Sequence, residues 1–282
     1  MKKTLSLVLL GSAFLLSACN EKETAGLKFS QPKESAVQSQ QGSTFPALMP
    51  KRTVLFDQSK QLKFTPDKKD EYAITQATVE TFADLQETGF DWLDKLLLQE
   101  TYSYLLSENT PKSDNPSKED IVNLLQESHQ SDIQELKNEP GLGMAFRIQS
   151  DYIGQRKNIV TFSNELSTYS GGAHGMHYTL YINIDTDKKA VLRLEDILPK
   201  DKQEKAAELL WRYYEYEIMA QQQPFTPKTD FYISKQFYFN QNGINFVYPP
   251  YALNAYAYGN VTLVLPWYEA EDIINPTYQW ED

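Results

Sequence analysis

Two histidines three residues apart, His174 and His177, stand at the end of the run Tyr169-Ser170-Gly171-Gly172-Ala173-His174-Gly175. Two imidazoles at this spacing admit a zinc site, with Asp185 or Glu165 as a third ligand, and hence a metal-dependent hydrolase. The spacing alone does not select that site, because no His-Glu-x-x-His signature accompanies it. A conformational reading competes with it. Gly171 and Gly172 permit a tight turn, and His174 can hydrogen-bond a neighbouring backbone group and hold that turn open beside a sheet. A third reading makes the turn a partner-binding surface. Further on, Tyr248-Pro249-Pro250-Tyr251 and Tyr256-Ala257-Tyr258 gather tyrosines in one segment. Such rings stack on sugars, anchor a protein partner or fill a core. Pro249 and Pro250 lack backbone donors, which excludes a regular central strand here. The expected result is an irregular loop sharing a groove with the glycine–histidine turn. The ligand-binding candidates are therefore Tyr169, Gly171, Gly172, His174, His177, Tyr248, Tyr251, Tyr256 and Tyr258.

Other catalytic patterns are missing. There is no Gly-x-Ser-x-Gly elbow and no phosphate-binding glycine loop. Ser170 lies near His174 in sequence, but no orienting acid can be named for the pair. The chain holds 38 acidic residues, and no two of them stand out as a sugar-cleaving pair. No catalytic residue, metal or cofactor is assigned, and the reading is that of a non-enzyme.

The single cysteine, Cys19, follows a basic start at Lys2 and Lys3 and an apolar run from Leu5 to Leu16. That run is shorter than the roughly 20 residues of a membrane-spanning helix and reads as a secretion signal. Leu16-Ser17-Ala18-Cys19 resembles the lipobox of bacterial lipoproteins, which implies a lipidated Cys19 at the mature amino terminus. Asn20 after the cysteine fits export to the outer membrane. The expected location is therefore a lipid-anchored, periplasm-facing position. With one cysteine there is no internal disulfide, so the fold must rest on its apolar core. The formal net charge of -11 argues against nucleic acid and suits a basic protein partner.

The elements that must position these groups can be read from periodicity. Residues 1–18 form the signal peptide and 19–52 a polar tether, with structure starting near Thr53. Short strands are expected at Thr53–Phe56 and Leu62–Phe64, and another at Tyr72–Phe82. Helices follow over Phe90–Leu106 and Lys118–Lys137, the second opened by Ser117 and Asp120 as a loose capping box. Met144–Tyr152, Lys157–Ser163, Tyr178–Ile184 and Ala190–Leu194 read as strands. A third helix is expected over Lys202–Gln221, burying Leu209, Leu210, Tyr213, Tyr216 and Ile218. A hairpin at Phe237–Phe239 and Ile244–Tyr248 turns at Asn242-Gly243, and a strand spans Val261–Pro266. The order gives an α+β fold of antiparallel sheets packed with helices, in two related or adjoining subdomains, 53–160 and 161–282.

The run Tyr169–Gly175, then Asn242-Gly243-Ile244-Asn245-Phe246, Tyr248–Tyr251 and Ala255-Tyr256-Ala257-Tyr258-Gly259 resemble, in that order, the C-terminal extracytoplasmic domain of the lysozyme-sensing anti-sigma factor family. This is the RsiV-like or DUF3298-like domain, and the resemblance covers about residues 165–272. Residues 53–160 look like its divergent DUF4163-like partner. A related module precedes the catalytic domain of some peptidoglycan deacetylases, but no room remains here for such a domain. The resemblance implies recognition of lysozyme or of a cell-wall component such as peptidoglycan. The chain departs from the sensing plan, since no sigma-binding segment or membrane span is evident and the membrane is reached only through the lipid. The alternatives are a glycan-binding accessory lipoprotein and the hydrolase using His174 and His177.

Overall fold

In the computed structural model, residues 45–65, 73–107, 112–218 and 225–280 are described; the signal peptide, Cys19 and the tether as far as residue 44 lie outside them. The described residues fall within one compact unit. Order starts earlier than Thr53. Phe45 packs against Phe90 and Trp92 with ring centroids 5.0 and 5.9 Å away, and Leu48 is buried. Residues 45–52 are therefore part of the folded body and not of a tether.

The two short strands expected at the start are one strand, β1 (Lys51–Lys63), with a bulge between Val54 and Phe56. Its middle, Asp57–Gln61, is exposed. An outer strand needs little apolar alternation, and charges there discourage edge-to-edge pairing. β1 pairs antiparallel with β2 (Gln76–Glu87). Helices α1 (Asp91–Leu105) and α2 (Lys118–Asn138) then carry the chain over to β3 (Met144–Arg156), which lies parallel to β2. Asp94 accepts from both the backbone N–H and the hydroxyl of Thr88, at 2.7 and 2.6 Å, stabilising the positive start of α1. The capping box of α2 forms as expected: Ser117 N–H donates to Asp120, and Asp120 N–H to the Ser117 hydroxyl.

Antiparallel strands β4 (Ile159–Tyr169), β5 (Met176–Asp185) and the two-residue β6 (Ala190–Val191) complete a six-stranded sheet in sequence order. β4 begins later than Lys157 because Lys157 turns the chain with φ 48°, and it runs past Ser163 to Tyr169. The division expected at 160/161 falls inside β4, so the sheet draws on both sides of it.

One face of this sheet carries Val79, Ala83, Ile148, Phe162, Ile182 and Ile184, and α1 and α2 cover it through Leu93, Leu97, Ile121, Leu125 and Ile133. Burying each such side chain contributes about 1.5–3 kcal/mol.

The second region continues from short α3 (Leu194–Ile197) into α4 (Gln203–Tyr213). It ends in a second sheet, β7 (Phe237–Asn240), β8 (Gly243–Tyr248) and β9 (Val261–Pro266), with α5 (Trp267–Ala270) after it. The hairpin turns where expected. Asn240 Oδ1 accepts from the N–H of Asn242 and of Gly243, and a Cβ on Gly243 would meet Leu265 O at 2.1 Å. The third helix is shorter than expected. It loses α geometry at Tyr214, where a π-helical turn runs to Ile218, and residues 219–224 lie outside the described set. Tyr216 is 81% exposed instead of buried, because it lies about half a turn past buried Tyr214, on the side of the helix opposite Leu210. Leu210, Trp211, Tyr214, Phe237, Phe246 and Leu263 form this region's core with Ile273, Ile274 and Tyr278. The regions meet where Tyr181 of β5 stacks on Tyr238 at 4.7 Å and Asn183 Nδ2 donates to Phe237 O at 2.7 Å. The fold is thus α+β with largely antiparallel sheets and helices packed on them.

Candidate functional site

The loop between β4 and β5 closes after the pair Thr168–Met176. Two of its glycines are required by geometry. Gly171 has φ +81°, a region that disfavours side chains, and a Cβ on Gly175 would lie 2.6 Å from the Thr168 carbonyl. Gly172 is not so constrained, since the nearest atom to its Cβ position is 4.0 Å away. The result is a turn that displays His174 at the surface.

The connection between β8 and β9 is held from within. Leu253 is buried in the second core, and its carbonyl accepts from Tyr214 OH at 2.7 Å. Thr226 Oγ1 donates to Ala252 O at 2.6 Å. Ala252 N–H donates to Pro249 O and Tyr251 N–H to Asn254 O, both at 3.1 Å. Within this bonded loop Tyr251 takes φ +69°, a strained conformation for a bulky residue. Positive φ costs a non-glycine residue about 1–2 kcal/mol.

The two loops meet. Tyr251 OH lies 3.2 Å from His174 Nε2, and His174 Nδ1 lies 3.0 Å from Gly175 O. The carbonyl can only accept, so neutral His174 carries its proton on Nδ1 and Nε2 accepts from Tyr251. Tyr256 OH donates to the same Gly175 carbonyl at 2.6 Å, and its ring stacks on His174 with centroids 3.8 Å apart. Tyr251 and Tyr256 rings are 5.6 Å apart. His174 is exposed, Tyr251 is 47% exposed and Tyr256 is half-buried. His174 therefore does hydrogen-bond the adjacent backbone, and it also holds a tyrosine from a segment far along the chain.

The remaining candidates are placed differently. Tyr169 is the half-buried last residue of β4, opposite Ala145. His177 is exposed on β5, opposite Ser167. Tyr258 is half-buried in the 3-10 turn that also holds Tyr256. Tyr248 is a correction: it is fully buried in the central strand β8, and its hydroxyl donates to Tyr232 O at 2.9 Å. Its ring packs the core, and burial pushes its hydroxyl pKa up.

Two residues of the same connection, Asn254 and Asn260, carry polar ends the sequence did not flag. Asn254 Oδ1 accepts from Ala255 N–H and Asn260 Nδ2 donates to Thr179 Oγ1. Asn254 Nδ2 and Asn260 Oδ1 are buried without a hydrogen-bond partner among the described residues. Asparagine in a turn-rich segment carries no sequence signal that separates this from an ordinary loop.

The zinc set is not assembled. Asp185 is eight residues along β5 from His177, or about 26 Å at the rise of an extended strand. It is 1% exposed and accepts from Asn158, Tyr278 OH and the N–H groups of Asp187 and Lys188, which locks the β5–β6 turn. Among the described residues no three His, Cys, Asp or Glu side chains converge to hold a metal ion.

Two other ionisable sites belong to the sheet. An open depression of about 490 Å³ lies between β1 and α2, bordered by Lys60, Lys137 and His129. His129 is buried, its Nδ1 lies 2.9 Å from Thr81 Oγ1, and burial holds its pKa down. It continues the Ile121, Leu125, Ile133 ridge of α2 as packing. Asp84 of β2 is fully buried. Its Oδ1 accepts from Ser150 N–H at 2.6 Å, and Arg52 Nη1 lies 3.6 Å from Oδ2. Burial outweighs both and raises its pKa.

Sequence comparison bears on the second region. Residues 195–268 match the profile of a family described as "Protein of unknown function (DUF3298)". Over residues 195–268, and there alone, the sequence matches DUF3298. The matched segment contains α4, the second sheet and Tyr251 and Tyr256, but starts after the His174 turn, so it is shorter than the expected 165–272. The fold is similar to two crystal structures of DUF3298 proteins. One is from Bacteroides fragilis NCTC 9343, with TM-score 0.59, 17% identity and coverage of 81% of this chain and 94% of that one. The other is from Pseudomonas aeruginosa PAO1, with TM-score 0.56, 17% identity and coverage of 83% and 98%. At that identity the likeness is one of fold. A search of curated proteins gives no match. No helix among the described residues is long and apolar enough to cross a membrane.

Proposed function

We propose that this protein is a non-enzymatic binding module, held at the outer membrane by a lipid on Cys19 and facing the periplasm. Its ligand is a protein, lysozyme being the most concrete candidate, or a cell-wall component. The observation that supports this most is the joined His174–Tyr251–Tyr256 cluster. Its rings are partly exposed, and hydrogen bonds from two separate loops hold them in place. Preorganised aromatic groups lose little entropy when a ligand docks, which is how small surfaces gain affinity. The backbone strain at Tyr251 fits the same reading, because strain tends to be kept at functional positions. The net charge of -11 suits steering of a basic protein.

The test measures binding of lysozyme by calorimetry at low salt, and co-sedimentation with purified peptidoglycan, for wild type and for His174→Ala and Tyr251→Ala. Binding to one of the two, weakened in both variants, is the expected result. Absence of binding to either ligand would remove the proposal. Mass spectrometry of the amino terminus tests the anchor: an unacylated Cys19 would sink it.

A further inference from the structure

We propose that the ligand face at the His174–Tyr251–Tyr256 cluster recognises a neutral, hydroxyl-rich sugar chain, an inference that rests on the binding role argued above. Three observations converge on this chemistry. The first is the aromatic wall itself: Tyr251 is 47% exposed, and the apolar C–H face of a pyranose stacks on such a ring.

The second is the pair of unmet amide ends in the loop that carries the wall. Asn254 Nδ2, a donor, and Asn260 Oδ1, an acceptor, are buried without a partner among the described residues, so a ligand reaches them only where the loop opens. A hydroxyl both donates and accepts, so one kind of ligand group answers both. A purely apolar segment docking there would leave both unmet, and a carboxylate or phosphate could answer only the donor.

The third is the floor beside the loop. Arg147, Ser167 and His177 lie opposite one another across β3, β4 and β5, and Gln149, Glu165 and Thr179 form the next row. Residues directly opposite in adjacent strands share a face, and this is the sheet face turned away from α1 and α2. Asn260 joins it to the wall through Thr179 Oγ1 at 3.1 Å. The rows mix hydroxyl and amide groups with one Arg and one Glu, so neither sign of charge dominates. That composition suits a neutral polar chain laid across the strands.

The experiment titrates the full-length protein with the neutral chains chitotetraose and chitohexaose, alongside lysozyme, by calorimetry. Sugar binding is expected, weakened about tenfold in Tyr251→Ala and about fivefold in Asn260→Ala. Because Asn260 packs against Thr179, the exposed Tyr251 variant and a matched thermal melt guard against misfolding. Lysozyme binding with no sugar binding would leave the binding role standing and overturn the sugar assignment. No binding of any of them would overturn both. Sugar binding that both variants leave unchanged would place the sugar elsewhere and also overturn it.

Discussion

The hydroxyl of Tyr251 lies 3.2 Å from Nε2 of His174, 77 residues earlier in the chain. This contact ties the β8–β9 connection to the β4–β5 turn, and with the Gly175 carbonyl on Nδ1 it dictates the tautomer of the ring. The neutral imidazole is expected to carry its proton on Nδ1, as read from ring nitrogen shifts in an NMR spectrum. A neutral ring protonated on Nε2 would contradict this arrangement. Tyr251→Phe removes a partly exposed hydrogen bond and should cost about 1 kcal/mol or less.

Strain at Tyr251 can be isolated from its ring. Tyr251→Ala and Tyr251→Gly both delete the side chain, but only glycine accepts φ +69° freely. Tyr251→Gly should be more stable than Tyr251→Ala by about 1 kcal/mol in urea unfolding. Equal stability would show that the backbone relaxes.

The glycines of the turn are not equivalent. A methyl on Gly175 would sit 2.6 Å from the Thr168 carbonyl, whereas one on Gly172 meets nothing closer than 4.0 Å. Gly175→Ala should destabilise the protein by about 1–3 kcal/mol and weaken ligand binding with it. Gly172→Ala should leave both near wild type. Thermal melts of the two variants would decide the matter, and similar midpoints would refute the distinction.

Asp84 predicts a pH signature. Its pKa is raised in the folded state, first by burial, with Ser150 N–H and Arg52 opposing. A carboxyl with a raised folded pKa contributes stability below its unfolded pKa and loses it as pH rises through the folded value. Asp84→Asn abolishes that step. Relative to wild type, the variant should therefore gain stability as pH climbs from about 4, the ordinary aspartate value, through the raised pKa. Urea midpoints of both proteins across that range provide the check, and a pH-independent difference would count against it.

Ser117 opens α2 by exchanging bonds with Asp120. Ser117→Ala leaves helix donors unmet and should cost about 1 kcal/mol, by chemical denaturation. Because the cap is remote from Tyr251 in the chain and belongs to the first sheet's helical layer, ligand affinity should not change.

Local order was legible where a short-range signal exists. The capping box of α2, the Asn240–Gly243 turn and the strand Val261–Pro266 follow from turn chemistry and alternation, which act over a few residues. So did the irregular loop after Pro249 and Pro250, because missing donors exclude a ladder whatever surrounds them. Where burial depends on partners, the same rules went astray. Residues 57–61 belong to a strand although they are polar, because that strand is an edge. Tyr216 faces water because it lies about half a turn from buried Tyr214 on the helix, and Tyr248 fills a core that its own neighbourhood does not reveal. The pairing of His174 with Tyr251, the unmet ends of Asn254 and Asn260, and the separation of Asp185 from His177 were settled by tertiary structure alone. Each depends on how two regions of the chain are laid against each other, and no window of sequence contains that distance.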